Sequence, residues 1–244
     1  MIYHTPKKLG HVDGVSAGIT YAHREKYNTL SNITGLNFGS NEQASWPDVK
    51  SNFDLLNDQL SHSGKMAIAE QVHGSNIEIV DEPGFFPATD GFITSQKGLL
   101  IGVKVADCAA VLMADPESGL VAAVHAGWRG AASGIVGKAA EKLINEGATT
   151  QNIRCYISPC ISVANFEVGE EVASEFSDEF IDRSIGKKPH LNLKKNLTHQ
   201  LEAVGIPPSS IEIDARCTID DHSFYSHRRE RGKAGRMLAF IVLT

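Results

Sequence analysis

The chain has 244 residues, is 42% hydrophobic and 21% charged, and carries a formal net charge of −6. That is an ordinary soluble globular composition with enough apolar residues for a sizeable core, and its acidic balance excludes a general attraction to nucleic acid or to anionic membranes. Lys104 and Asp107 interrupt its most apolar region, so no stretch is expected to span a bilayer.

The opening residues, MIYHTPKKLGHVDG, lack the apolar run of a signal peptide. Four cysteines (Cys108, Cys155, Cys160 and Cys217) in a chain of this length do not make a disulfide framework. The expectation is a cytoplasmic protein with one domain over residues 1–244, a monomer or small homo-oligomer.

Along the chain, a short strand is expected around Val15–Tyr21, and the polar stretch NTLSNITGLNFGSN reads as a loop. Pro47 opens a helix with Val49, Phe53, Leu56 and Leu60 at three- and four-residue steps, stopped by Gly64. Met66–Ala69 and Ile77–Val80 read as strands, with His73 in a tight turn between them. DEPGFFPATDGFITS reads as a turn-rich connection carrying Asp90.

The central stretch runs from Leu99 to Gly130. Two β-forming runs, Leu99–Val105 and Leu120–Val124, suggest a hairpin-like unit that delivers Cys108 after the first run and His125 after the second. Trp128-Arg129-Gly130 follows, and then a helix of roughly residues 131–145 whose start offers N–H groups to an anion. Beyond it come a strand at Ile153–Ile157 and a helix placing Val168, Val172, Phe176 and Phe180 at steps of four. A further helix carries Leu193, Leu197, Leu201 and Val204, and strands are expected at Ile211–Ala215 and Met237–Leu243. Interspersed strands and helices without repeats give an α/β or α+β protein with one continuous core.

Thiolate and imidazole suit zinc and copper, and two His with one Cys and an open position match a catalytic zinc site. His73, Cys108 and His125 are candidates, but their wide spacing is no signature, and a free cysteine is often just a small buried hydrophobe. Asp107 and Asp90 could act as acid/base groups or as supports for ligands, with a turn role favoured for Asp90. SHRRERGKAGR is basic, but without a wider basic patch it does not indicate nucleic acid. If that stretch is extended, only one of Arg228 and Arg229 can face a site.

QVHGSN, TDGFIT, VKVADCAAVLMADP, VAAVHAGWRG, FEVGEEV, Cys217-Thr218 and FYSHRRE with a later Gly-Arg together resemble the YfiH family, also labelled laccase-domain or polyphenol-oxidoreductase-like and including purine nucleoside phosphorylases. The resemblance runs from about residue 66 to the C-terminus. It implies two packed mixed β-sheets flanked by helices, in α/β/β/α layers. It also implies that His73, Cys108 and His125 are metal ligands, that Cys108, His125, Arg129 and Asp107 are catalytic, and that Gln71, Arg129 and Arg229 contact substrate. Three positions depart from the family pattern. Tyr21 stands where an arginine is expected, with Arg24 nearby; Ser158 replaces a glycine before Pro159-Cys160; and His227 replaces a frequent tyrosine.

The family labels cover two chemistries. A multicopper oxidase binds its coppers largely through His-x-His pairs, whereas no two of the ten histidines here are separated by a single residue. One zinc with an open position instead suits attack by water or an oxyanion. The resemblance thus implies phosphorolysis of adenosine, inosine and methylthioadenosine, with adenosine deamination. Its partners would be purine nucleosides and phosphate, and its cofactor zinc rather than copper. A copper-dependent polyphenol oxidoreductase, a hydrolase with Cys108 as nucleophile and His125 as base, and a non-enzymatic nucleoside-binding module remain the alternatives.

Overall fold

The computed structural model describes residues 1–26, 33–39 and 46–244. Much of the expected loop NTLSNITGLNFGSN lies outside the described residues. The strands are β1 (Tyr3–His4), β2 (Val15–Thr20), β3 (Met66–Ala69), β4 (Ile77–Ile79), β5 (Gly84–Phe86), β6 (Gly91–Thr94) and β7 (Leu100–Val105). They continue with β8 (Ala109–Asp115), β9 (Leu120–Ala126), β10 (Arg154–Ile157), β11 (Ile181–Asp182), β12 (His190–Leu191), β13 (Ile211–Ile213) and β14 (Met237–Leu243). The α-helices are α1 (Lys7–Gly10), α2 (Trp46–Leu60), α3 (Trp128–Ala132), α4 (Ile135–Asn145), α5 (Glu170–Ala173), α6 (Leu193–Ala203) and α7 (His227–Glu230).

Two mixed six-stranded sheets form the body, ordered β1-β2-β14-β7-β3-β5 and β13-β10-β8-β9-β6-β4. Strands β8, β9 and β14 are buried along their whole length, because both faces of each sheet centre are covered. The alternation within β8 shows how. Ala110, Leu112 and Ala114 join the cluster that contains the first sheet, while Ala109, Val111 and Met113 join the one built with α4 and α6. Val49, Phe53 and Leu56 of α2 belong to the first cluster.

The expected hairpin is placed differently. Leu100–Val105 lies in the first sheet, paired with β3 and β14, and the true hairpin is β8 with β9 in the second. The apolar Ala109–Asp115 segment is its missing arm. Asp115 closes the turn by accepting from the Glu117 and Ser118 amides, at 2.9 and 3.3 Å, and Gly119 supplies the left-handed residue (φ 66°).

Other expectations also move. The connection 81–95 contains β5 and β6, which pair in parallel with β3 and β4. The helix expected over residues 131–145 is broken at Gly134 (φ 73°), and its first piece begins at Trp128. The step-of-four helix through Val168 and Phe180 reduces to α5 and a 3-10 turn at Asp178–Phe180. Helix α2 ends at Leu60 with Ser61 left-handed (φ 50°), before Gly64. No helix among the described residues is long and apolar enough to cross a membrane.

Candidate metal centre and cavity

The β8–β9 register decides where the ligands fall. Ala110 pairs with His125, so His125 continues the Val121 and Ala123 row that faces the first sheet. Cys108, two residues before Ala110, continues the matching row of β8 and packs against the same cluster. Both side chains therefore emerge between the two sheets at one end of the hairpin. His125 lies within β9 rather than after it.

His73 arrives from the turn between β3 and β4, in the left-handed region (φ 61°). Asp90 holds that turn. Its carboxylate accepts the backbone N–H groups of Val72, His73 and Gly74 at 3.3, 3.0 and 2.6 Å. The same carboxylate pairs with His125 Nδ1 at 2.7 Å, and the Asp90 side chain is fully buried. Burial pushes the Asp90 carboxyl up, but the bond with His125 and the backbone N–H bonds outweigh it and hold it below its ordinary value. With Nδ1–H given to Asp90, Nε2 of His125 points to the cluster. Burial pulls the imidazole down, but the charges and bonds of Cys108 and Asp90 raise it to about 9, so without a metal Nε2 carries a proton that a metal would displace.

One ligand atom each of His73, Cys108 and His125 lies within 4.8 Å of the others, the one such cluster among the described residues. The two imidazoles meet edge-on at 80°, centroids 4.8 Å apart. Burial pushes the Cys108 thiol up, yet the charge and hydrogen bonds of His125 and His73 bring it down to about 6. A thiolate beside two imidazoles, one backed by a carboxylate, is a donor set that fits zinc with a position left open. Gly127 completes the fit. A Cβ there would lie 3.0 Å from Cys108 Sγ and 3.1 Å from His73 Cδ2, so the HAGWRG glycine keeps the cluster clear.

The cluster lines a cavity of about 490 Å³ together with Gln71, Lys104, Asp107, Trp128, Arg129, Arg228 and Arg236, among others. An apolar part comes from the second-sheet side, through Ile161, Phe166, Leu193 and Trp128. Gln71 lines the cavity with both ends of its amide bonded to the Lys104 backbone at 2.8 Å, so its side chain continues the pairing of β3 with β7. Asp107, left-handed at φ 78°, accepts from Thr218 Oγ1 at 2.6 Å and from the Arg228 amide at 2.6 Å, tying the cysteine loop to α7.

Of the two adjacent arginines, the structure turns Arg228 toward the cavity and Arg229 away. Arg229 donates to the carbonyls of Thr218, Ile219 and Phe224 and to Glu230, and it is absent from the lining. Its expected substrate contact is therefore not available in this arrangement. Arg129 is exposed at the lining, its guanidinium 4.3 Å from the Trp128 ring centroid. The expected anion-friendly helix start after it is a five-residue helix already under way. Arg24, near the divergent Tyr21, is committed to Glu230 and to the carbonyls of His222 and Phe224. His227 lines the cavity, and Ser158 bonds Ala110 N at 2.9 Å.

Sequence reasoning favoured a turn role for Asp90 over support of a ligand, and the structure gives it both, at the His73 turn and on His125. That reasoning passed over Lys104 and Arg236 as cavity groups. The signal for Asp90 was its place at the head of a strand, visible only once β6 was recognised.

Residues 19–244 match the family model described as multi-copper polyphenol oxidoreductase laccase. The chain belongs to that family. A purine nucleoside phosphorylase from Corynebacterium glutamicum is 36% identical over 203 residues, spanning 80% of this chain and 81% of the relative. An adenosine deaminase from an unknown prokaryotic organism is 30% identical over 196 residues, covering 77% and 74%. The crystal structure of YlmD from Geobacillus stearothermophilus superposes with a TM-score of 0.88 at 30% identity, covering 99% and 98% of the two chains. That of the Bacillus licheniformis hypothetical protein YfiH gives 0.89 at 30% identity, covering 96% and 94%. All ten histidines and four cysteines of the chain lie among the described residues, and three of them, His73, Cys108 and His125, form the one candidate metal-binding cluster there.

Proposed function

We propose that this protein is a zinc-dependent purine nucleoside phosphorylase acting on adenosine, inosine and methylthioadenosine, with adenosine deamination as a second activity. The observation that carries the reading is the His73–Cys108–His125 cluster set in a cavity lined by cations and by an apolar face. Relatives named purine nucleoside phosphorylase and adenosine deaminase support the substrate class.

Bound by these three residues, zinc would supply Lewis acidity, polarising an oxygen of a reactant. The protein's own groups do the rest. Asp90 keeps the His125 imidazole in the tautomer that presents Nε2, and the apolar face receives the purine and excludes water from it. In phosphorolysis one phosphate oxygen bonds to C1′ as the C1′–N9 bond breaks. The electron pair leaves with the purine, and the proton of hydrogenphosphate ends on the purine nitrogen. Positive charge grows on the ribose meanwhile, so an anion held beside C1′ both stabilises it and attacks it. Arg129 contributes at the rim as a cation, and the buried Asp107 as the anchor of the cysteine loop.

A cysteine hydrolase is the second reading, favoured by the Cys108 thiol lying near 6 beside His125. Metal content separates the two.

The test incubates zinc-replete protein with inosine or adenosine, with and without phosphate. Free base and ribose-1-phosphate should appear only when phosphate is present. Elemental analysis should find about one zinc per chain, lost for the most part in Cys108→Ala. Full zinc occupancy and turnover in that variant would overturn the ligand assignment. Base release at an equal rate without phosphate would make the enzyme a hydrolase, and inosine as the sole product from adenosine would make it a deaminase.

A further inference from the structure

Four cations line the cavity: Lys104, Arg129, Arg228 and Arg236. Their surroundings separate them. Arg228 is exposed and spends Nη1 on the carbonyls of Glu167 (2.8 Å) and Asn165 (3.4 Å). Arg129 is exposed and lies on Trp128. Lys104 and Arg236 are each half-buried, and both belong to the first-sheet side.

The strand register brings these two together. Lys104 of β7 pairs with Leu238 of β14, and Arg236 is two residues before Leu238. Alternation puts Arg236 on the same face as Leu238, diagonal to Lys104 and within reach of it. Neither makes an ion pair with a carboxylate among the described residues. Among the described residues the Lys104 ammonium, with three donors, has one acceptor, the Ala69 carbonyl at 3.0 Å. The Arg236 guanidinium, among the described residues, bonds through Nη1 alone, to the carbonyls of Ala234 (2.8 Å) and Gly235 (3.0 Å). Its stem rests on Gly39, where a Cβ would lie 2.6 Å from Arg236 Cγ, so the arginine is held in place by its neighbour's lack of a side chain.

Two like charges held together, partly out of water and without a carboxylate between them, are costly unless an anion joins them. Burial first, and then the charge of Arg236, holds the Lys104 ammonium below its ordinary value, with Glu70 the opposing influence. Burial likewise lowers Arg236, against the charges of Cys108 and Asp107. Of the three negative groups that act on Arg236, Cys108 and Asp107 come from the cysteine loop and the smaller influence, Glu230, from α7, which places this cation pair beside the metal cluster.

We propose that Lys104 and Arg236 together form the binding site for inorganic phosphate, the co-substrate of the reaction. The assignment rests on the phosphorolysis reading and adds to it a direction. Phosphate enters against the first sheet, the purine lies against Ile161, Phe166 and Leu193 on the second, and the ribose lies between them. Lys104 supplies a point charge and Arg236 a planar fork for two phosphate oxygens. Arg129 is left to act at the rim.

Steady-state kinetics of Lys104→Met, Lys104→Arg, Arg236→Gln and Arg129→Ala, each confirmed folded and zinc-loaded, test this. Lys104→Met and Arg236→Gln should raise the KM for phosphate by roughly 10–100-fold, the worth of one charge-assisted hydrogen bond, and the KM for inosine by far less. Lys104→Arg should recover most of the loss, and Arg129→Ala should raise the phosphate KM less than either.

Calorimetric titration of inorganic phosphate into wild type and Lys104→Met, without nucleoside, gives a readout independent of turnover. If wild type binds phosphate, Lys104→Met does not, and no ribose-1-phosphate forms, the anion site stands and phosphorolysis falls. If both Lys104→Met and Arg236→Gln keep the wild-type phosphate KM and heat of binding, or if wild type binds no phosphate, the proposal is overturned.

Discussion

The Cys108 thiol is the residue whose chemistry depends most on its neighbours. Burial alone raises a thiol, as Cys160 shows, pushed up to about 12 in the packed core. Cys108 has the same burial working against it, yet the imidazoles of His125 and His73 bring it down to about 6. A metal-free sample should therefore react with iodoacetamide at Cys108 at a rate that rises as pH passes through about 6. An ordinary thiol would show that rise near 8.5. The thiolate is the reacting form, so a lowered value shifts the rise toward acid. Peptide mapping should find Cys160 unmodified, and added zinc should protect Cys108. A half-rate near 8.5 for Cys108 would contradict the arrangement of the three side chains.

At the scale of elements, the site is a meeting of three chain segments that Asp90 holds in register. Standing just before β6, it accepts three backbone N–H groups from the His73 turn and pairs with His125 of β9. The His125 amide in turn donates to the Asp90 carbonyl at 2.7 Å. Asp90→Asn keeps the shape but replaces one acceptor oxygen by a donor, so it loses some of the turn bonds and its charge beside His125. Metal affinity should drop by about 10–100-fold, the usual cost of removing a carboxylate behind a ligating histidine. Competition with a chromophoric chelator measures it. Unchanged affinity would mean that Asp90 supports the turn alone.

At the scale of the whole molecule, the cavity exists because two sheets pack face to face and leave room at one end of the β8–β9 hairpin. Leu112, fully buried on the face of β8 that meets the first sheet, is part of what keeps them together. Leu112→Ala should lower the free energy of unfolding by about 2–5 kcal/mol, the range for a leucine cut back in a packed core. Urea denaturation followed by circular dichroism reads it. A loss under about 1 kcal/mol would mean that the sheets close over the gap.

The sequence by itself determined the elements whose pattern is local. Met66–Ala69 and Met237–Leu243 are strands as read, and the Leu193–Leu197–Leu201 face forms α6, because periodicity records which side of an element is buried. The motif blocks around Cys108 and His125 were also legible, and through them the family. Tertiary structure alone decided the rest. Leu100–Val105 and Leu120–Ala126 look like partners in the chain, yet they pair in different sheets, since hydrogen bonding between strands is set by neighbours distant in sequence. The acidic stretch after Phe166 has a helical period but forms only α5 and a 3-10 turn, after which the chain pairs β11 with β12. Alternation in an extended stretch was the expected reason for Arg228 and Arg229 to diverge, but both lie in the helical turn α7, and the sequence did not say which of them meets the cavity. That depended on Asp107 capturing the Arg228 amide across 121 residues of chain. The same holds for His73, Cys108 and His125. Nothing in their spacing draws them together, and only the register of β8 on β9, with Asp90 binding the turn, gives them one centre.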